Sequence, residues 1–115
     1  MSFVVVVVSL LLAVAFLVMG WPKAAAHPAA RERARHLRVP PGAYRAIGIA
    51  EMAAAIGLVI GLWWRPLGVA AAAGLVVITV GATVAHRRVG DPPVAATPAL
   101  VLGFPALLVF IVLAA

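Results

Sequence analysis

The sequence predicts an all-α membrane protein: an antiparallel bundle of four transmembrane helices, with a basic loop or short interfacial helix between the first and second. Three observations predict it. Of 115 residues, 66% are hydrophobic and 10% are charged, against roughly one-half and one-quarter in soluble domains, and mean hydropathy is +1.20. The apolar residues gather in four runs, each near the roughly 20 helical residues that cross a hydrocarbon core. The charges fall mainly in the short segments between those runs. Four such helices fill residues 1–115 as one domain and leave no room for a soluble module.

The first run, residues 3–21, opens on "FVVVVVSLLL". Valine is a poor helix former in water, but in hydrocarbon an unpaired backbone amide costs so much that the run must be helical. No Lys or Arg precedes it and it is longer than a secretory core, so it is expected to be a retained membrane helix. The connection that follows, residues 22–43, reads "PKAAAHPAARERARHLRVPPGA". Its centre can form a helix that starts near Pro28 and is stopped by Pro40 and Pro41. Arg31, Arg35 and Arg38 are spaced i, i+4, i+7, beside a thin stripe of Ala30, Ala34 and Leu37, which leaves a solvated loop and a surface-lying helix both open.

The second run, residues 44–64, and the third, residues 67–85, are separated by Arg65 and Pro66 alone, a tight helical hairpin in which proline suits the first turn of the new helix. The third connection, residues 86–97, "HRRVGDPPVAAT", carries turn chemistry at Gly90, Asp91, Pro92 and Pro93. In the fourth run, residues 98–115, Gly103 and Pro105 suggest a kink. Ala53, Gly57 and Gly61 on the second run, and Gly74 and Gly81 on the third, are notches at which helices approach closely in lipid, within one chain or between chains.

Nine Lys+Arg against three Asp+Glu would suggest nucleic acid in a soluble protein; here they are topology signals, and no nucleic acid partner is expected. The first and third connections carry Lys23, Arg31, Arg33, Arg35, Arg38, Arg87 and Arg88, whereas the other side has Arg65. The positive-inside rule then places loops 22–43 and 86–97 in the cytoplasm and both termini outside, in a bacterial inner membrane. Trp21 at one edge and Trp63 and Trp64 at the other suit the aromatic belts. With no cysteine, thiolate catalysis and cysteine-held metal clusters are excluded. His27, His36 and His86 lack metal-ligand spacing, so no metal site is expected.

One carboxylate stands out. In "RAIGIAEMAAAIGL", residues 45–58, Glu51 lies inside an apolar helix, where a charge costs roughly 2.5–3.5 kcal/mol on insertion. Arg45 is about 9 Å along the axis and about 120° around it, so it is no intrahelical partner, and a partner must come from another helix. An antiparallel bundle gathers Lys23, Tyr44, Arg45, Glu51 and His86 at one face, with Asp91 close by. Thr79, Thr83 and His86 recur at i, i+4, i+7; Tyr44, Gly48, Glu51, Ala55 and Leu58 form the matching stripe, and two such stripes facing each other would enclose Glu51. Bland alternatives stand beside this. Each threonine can satisfy its hydroxyl on its own helix, His86 can sit at headgroup level beside Arg87 and Arg88, and Glu51 can be a structural clamp to Lys23, Arg45 or His86.

The segments "MGWPK", "YRAIGIAEMAAAIGLVIGL", "WWRPLGVAAAAGL" and "GATVAHRRVGD" resemble the DoxX-like family of small bacterial membrane proteins, in the ordered set Lys23, Arg45, Gly48, Glu51, Gly57 and His86. The resemblance implies a compact four-helix bundle and makes the polar cluster a family feature. The family takes its name from a subunit of a thiosulfate:quinone oxidoreductase, and relatives are associated with oxidative-stress or thiol-redox membrane complexes. The chain has no cysteine, no obvious haem ligation and only isolated histidines, so the resemblance by itself does not carry over a redox reaction.

Three functions follow as expectations. The first is an accessory membrane subunit, or a binder of a quinone-like or lipid ligand, working with other subunits or by self-association in the bilayer. The site residues are then Lys23, Tyr44, Arg45, Glu51, Thr79, Thr83 and His86; no cofactor is identifiable from the sequence, which leaves room for a quinone or lipid. The second is a proton-coupled small-molecule transporter using Glu51, although small multidrug exporters of this length carry their essential acid in the first helix, which here has no charge over residues 3–21. The third, an enzyme with Glu51 and His86 as acid and base, lacks any nucleophile or metal set, so no catalytic activity of its own is expected.

Overall fold

The computed structural model describes residues 2–115. Its helices are α1 (Phe3–Ala24), α2 (Pro28–His36), α3 (Pro41–Ile60), α4 (Arg65–Arg88) and α5 (Thr97–Ala114), with a 3-10 turn over Pro93–Ala96 leading into α5. No strand occurs among the described residues. Four segments, α1, α3, α4 and the 3-10 turn with α5, are long and apolar enough to cross a membrane. The long dimension is 40 Å, which exceeds the about 30 Å of a hydrocarbon core.

Local chemistry explains the helix ends. The Ser2 hydroxyl accepts from the Val5 amide at 3.3 Å and caps α1. At its other end α1 runs past Trp21, through Pro22, to Ala24, three residues beyond the expected stop. The closing turn is held by the Ala25 amide on Trp21 O and the His27 amide on Pro22 O, both at 2.9 Å. This extension places Lys23 in the last helical turn instead of a loop.

Of the two readings of the first connection, the helix forms. Pro28 occupies its first turn and the His27 ring nitrogen accepts from the Ala29 amide at 3.2 Å. It stops before the prolines, where Arg38 takes a positive φ of 57° and the Val39 amide returns to Ala34 O. Arg38 therefore lies outside the helix and does not continue the Arg31–Arg35 row. Ala30, Ala34 and Leu37 bury against Tyr44, with Val39, Ala85 and Val89 packed around them. Pro41 begins α3, a role proline fills without loss because the first helical N–H has no partner.

The hairpin differs from expectation. The connection is Gly61–Trp64, and Arg65 and Pro66 form the first turn of α4. Gly61 is the reason: a Cβ there would lie 2.6 Å from the Gly68 amide nitrogen, so the helices touch through backbone. Arg65 Nε also donates to Leu113 O at 2.6 Å, and its guanidinium reaches Ala115 O at 3.0 Å. These bonds satisfy carbonyls that a helix C-terminus leaves free.

The helices form a ring in which α1 packs on α3, α3 on α4, α4 on α5, and α5 back on α1. Leu12, Phe16, Ala55, Leu58, Ala72, Leu75, Ala106 and Val109 make the shared core. Outward-facing Leu11, Val77, Val80 and Phe104 are exposed, as lipid-facing residues must be. Of the glycine notches, Gly57 and Gly61 serve the α3–α4 contact, whereas Gly74 and Gly81 meet nothing within 4 Å. Ala53 is exposed too.

Candidate functional site

Three close contacts shape the bundle. α3 meets α4 at the hairpin through Gly57, Gly61 and Gly68; α1 meets α3 through Gly20 and Gly48; α4 meets α5 through Thr79 and Gly103. At the end away from the hairpin, a cleft of about 730 Å³ lies between the α1–α3 pair and the α4–α5 pair. Phe16, Ile47, Ile78 and Leu102 supply apolar walls, Lys23, Tyr44, Glu51, Thr79 and His86 the polar ones, and Arg33, Leu37 and Arg88 border it from α2 and the end of α4.

Glycine spacing builds the polar wall. A Cβ on Gly48 would lie 2.7 Å from both Gly20 O and Ala24 N, so only hydrogen allows this approach of α1 and α3. Lys23 and Glu51 each follow their glycine by three residues, on the same helix face. Lys23 Nζ donates to Glu51 Oε1 at 2.5 Å, and it stands 5.5 Å from the centre of the Tyr44 ring, within cation–π range. The second carboxylate oxygen, Glu51 Oε2, is buried without a hydrogen-bond partner. Mutual attraction only partly offsets the desolvation of such a pair, but either charge left alone would be far worse.

Of the residues expected to converge, Lys23, Tyr44, Glu51, Thr79 and His86 line one cleft. Arg45 and Thr83 do not. Arg45 Nε donates to Ala24 O at 3.1 Å, capping α1, as its position about 120° from Glu51 requires. Thr83 bonds Thr79 O at 3.0 Å and Thr79 bonds Val76 O at 2.9 Å, the bland alternative for both hydroxyls. Thr79 also packs on Gly103, so its stripe abuts α5 and does not pair with the Glu51 stripe, whose close partner is α1.

His86 is likewise engaged away from Glu51. Its Nδ1 lies 2.7 Å from Asp91 Oδ2, and His36 Nε2 lies 2.7 and 2.9 Å from the two oxygens of the same carboxylate. The hydrogen bond from His86, reinforced by that from His36 against the opposing effect of burial, holds the Asp91 carboxyl below its usual range. Arg88 donates to Leu37 O at 2.7 Å and Arg38 O at 3.3 Å. Together these bonds hold α2 over the mouth of the cleft. Sequence reasoning missed His36, Arg33 and Arg88 here; the available signal was that both basic connections emerge on one side. No group of three potential metal ligands occurs among the described residues.

The fold and site define a small multi-pass helical membrane protein with one buried ion pair on the wall of a cleft between its helices. The family model described as the DoxX-like family matches residues 7–113, nearly the whole chain, and the chain belongs to that family. No curated protein and no solved structure matches it.

Proposed function

We propose that this protein is a non-catalytic membrane subunit that holds a lipid-soluble amphiphile, a quinone-like molecule or a lipid, in the cleft beside Glu51. One observation carries the reading: Glu51 Oε2, buried and unpartnered, belongs to a residue lining an otherwise largely apolar cleft. A buried acceptor left unsatisfied costs about 1–3 kcal/mol, and an O–H on the ligand, as on a lipid headgroup or the reduced form of a quinone, recovers that cost by donating to it. Val18, Val77 and Val84 border the cleft and are exposed on the lipid side, so the ligand has a route from the bilayer. The basic end, with α2, faces the cytoplasm of a bacterial inner membrane under the positive-inside rule, and docking or self-association uses the outer apolar faces.

Proton-coupled exchange of a cation is the weaker reading, because Lys23, Arg33 and Arg88 border the same cleft as Glu51 and their field repels a cationic cargo. The test is extraction into lipid nanodiscs followed by native mass spectrometry. An amphiphile retained by the wild type and lost from Glu51→Gln is expected. Bulk lipid alone, in equal amount on both proteins, would reject the proposal.

A further inference from the structure

We propose that the cleft selects an amphiphile whose polar end is a neutral hydroxyl, a long-chain phenol or alcohol, in preference to a carbonyl, an ether or an ammonium. This inference rests on the proposed ligand-binding function and names the chemistry of its occupant. Two unfilled valences belong to residues on the wall of the same cleft. Glu51 Oε2 is an acceptor without a donor. Lys23 Nζ has three N–H groups, with one directed to Glu51 Oε1 and no second hydrogen bond among the described residues. Both residues line the cleft.

A hydroxyl is the smallest group that answers both, because it carries one O–H donor and an acceptor oxygen. Its O–H donates to Glu51 Oε2 while its oxygen accepts from Lys23, closing a ring of hydrogen bonds through the carboxylate and Oε1. A carbonyl or an ether accepts from Lys23 but leaves Oε2 empty. An ammonium fills Oε2 but adds a second cation beside one carboxylate and offers Lys23 nothing to bond. Arg33 and Arg88 at the rim add to that repulsion. The apolar body then lies against Phe16, Ile78 and Leu102.

The test titrates nanodisc-embedded protein with 4-dodecylphenol, its methyl ether 4-dodecylanisole, and dodecylamine, each expressed as mole fraction in the lipid, with bound adduct counted by native mass spectrometry. The phenol is expected to bind at least about 10-fold tighter than the ether, equivalent to about 1.4 kcal/mol, and tighter than the amine. In Glu51→Gln and Lys23→Met that advantage falls to within about twofold while the ether's own affinity stays, as expected for loss of one charge-assisted hydrogen bond. Equal affinities for phenol and ether on the wild type, or tighter binding of the amine, overturn the hydroxyl preference without needing any variant. Ala82→Trp, which fills the cleft from α4, separates the two proposals. Loss of all three probes from it keeps the cleft as the binding place, and unchanged binding rejects the ligand-binding function itself.

Discussion

Removing Lys23 from its partner tests the central contact most directly. In a cycle of Lys23→Met, Glu51→Leu and the double variant, each substitution deletes a charge and keeps an apolar side chain of similar length. The magnitudes follow from unequal burial: the side chain of Glu51 is 2% exposed and that of Lys23 13%. Lys23→Met strands a carboxylate that already has one unpartnered oxygen, and breaking a buried pair from one side costs about 3–5 kcal/mol. Glu51→Leu strands an ammonium in the last turn of α1, whose flexible stem can carry it toward the membrane surface, so its cost falls to about 1–2 kcal/mol. The double variant leaves no charge behind and stays within about 1 kcal/mol of wild type, since apolar replacements of buried pairs are often neutral. Reversible unfolding in bicelles, by steric trapping or detergent titration, reads all four corners. A double variant as unstable as the two singles combined would show that the two side chains do not act as a unit, and the account of the cleft wall would fall with it.

Gly48→Ala should destabilise by about 1–3 kcal/mol in the same assay, because its Cβ has backbone of Gly20 and Ala24 at 2.7 Å. Gly81→Ala, with open space around it, should be neutral or slightly stabilising; equal effects at the two sites would refute the close approach of α1 and α3. Docking of α2 should depend on pH. The Asp91 carboxyl is held below its ordinary value by His86 and then His36, so the stabilisation is present above the ordinary carboxylate range and is lost as pH falls through about 4 and below. The protection factors of the α2 amides, corrected for intrinsic exchange, should fall as pH drops through that window and become pH-independent in Asp91→Asn; unchanged α2 protection in Asp91→Asn would remove the clasp from the account.

Much of this was legible along the chain. Four runs of hydrocarbon-spanning length, the isolated acid at Glu51, and its geometric mismatch with Arg45 are one-dimensional facts, and each foretold a structural one. The i, i+4, i+7 row of Thr79, Thr83 and His86 was legible in part: Thr79 and His86 line the same cleft as Glu51, but periodicity places residues on a face without saying which neighbour each one bonds. Thr79 met Gly103, Thr83 met its own helix, and His86 met Asp91. The His36 contribution had no local signal, since it joins residues 55 positions apart through a short helix whose formation the sequence left open.

By itself, the sequence determined that the backbone must be helical wherever it crosses lipid, because no other solvent is available to its amides, and that a lone carboxylate there needs a partner from elsewhere. Only the tertiary structure decided which partner. Glycines at positions 20 and 48 let α1 and α3 close to backbone contact, and the three-residue offset from each glycine carries Lys23 onto one oxygen of Glu51 and leaves the other buried and unpaired, on a residue of the cleft wall. Partner choice is set by which surfaces can approach most closely, and that depends on how all four helices share one volume.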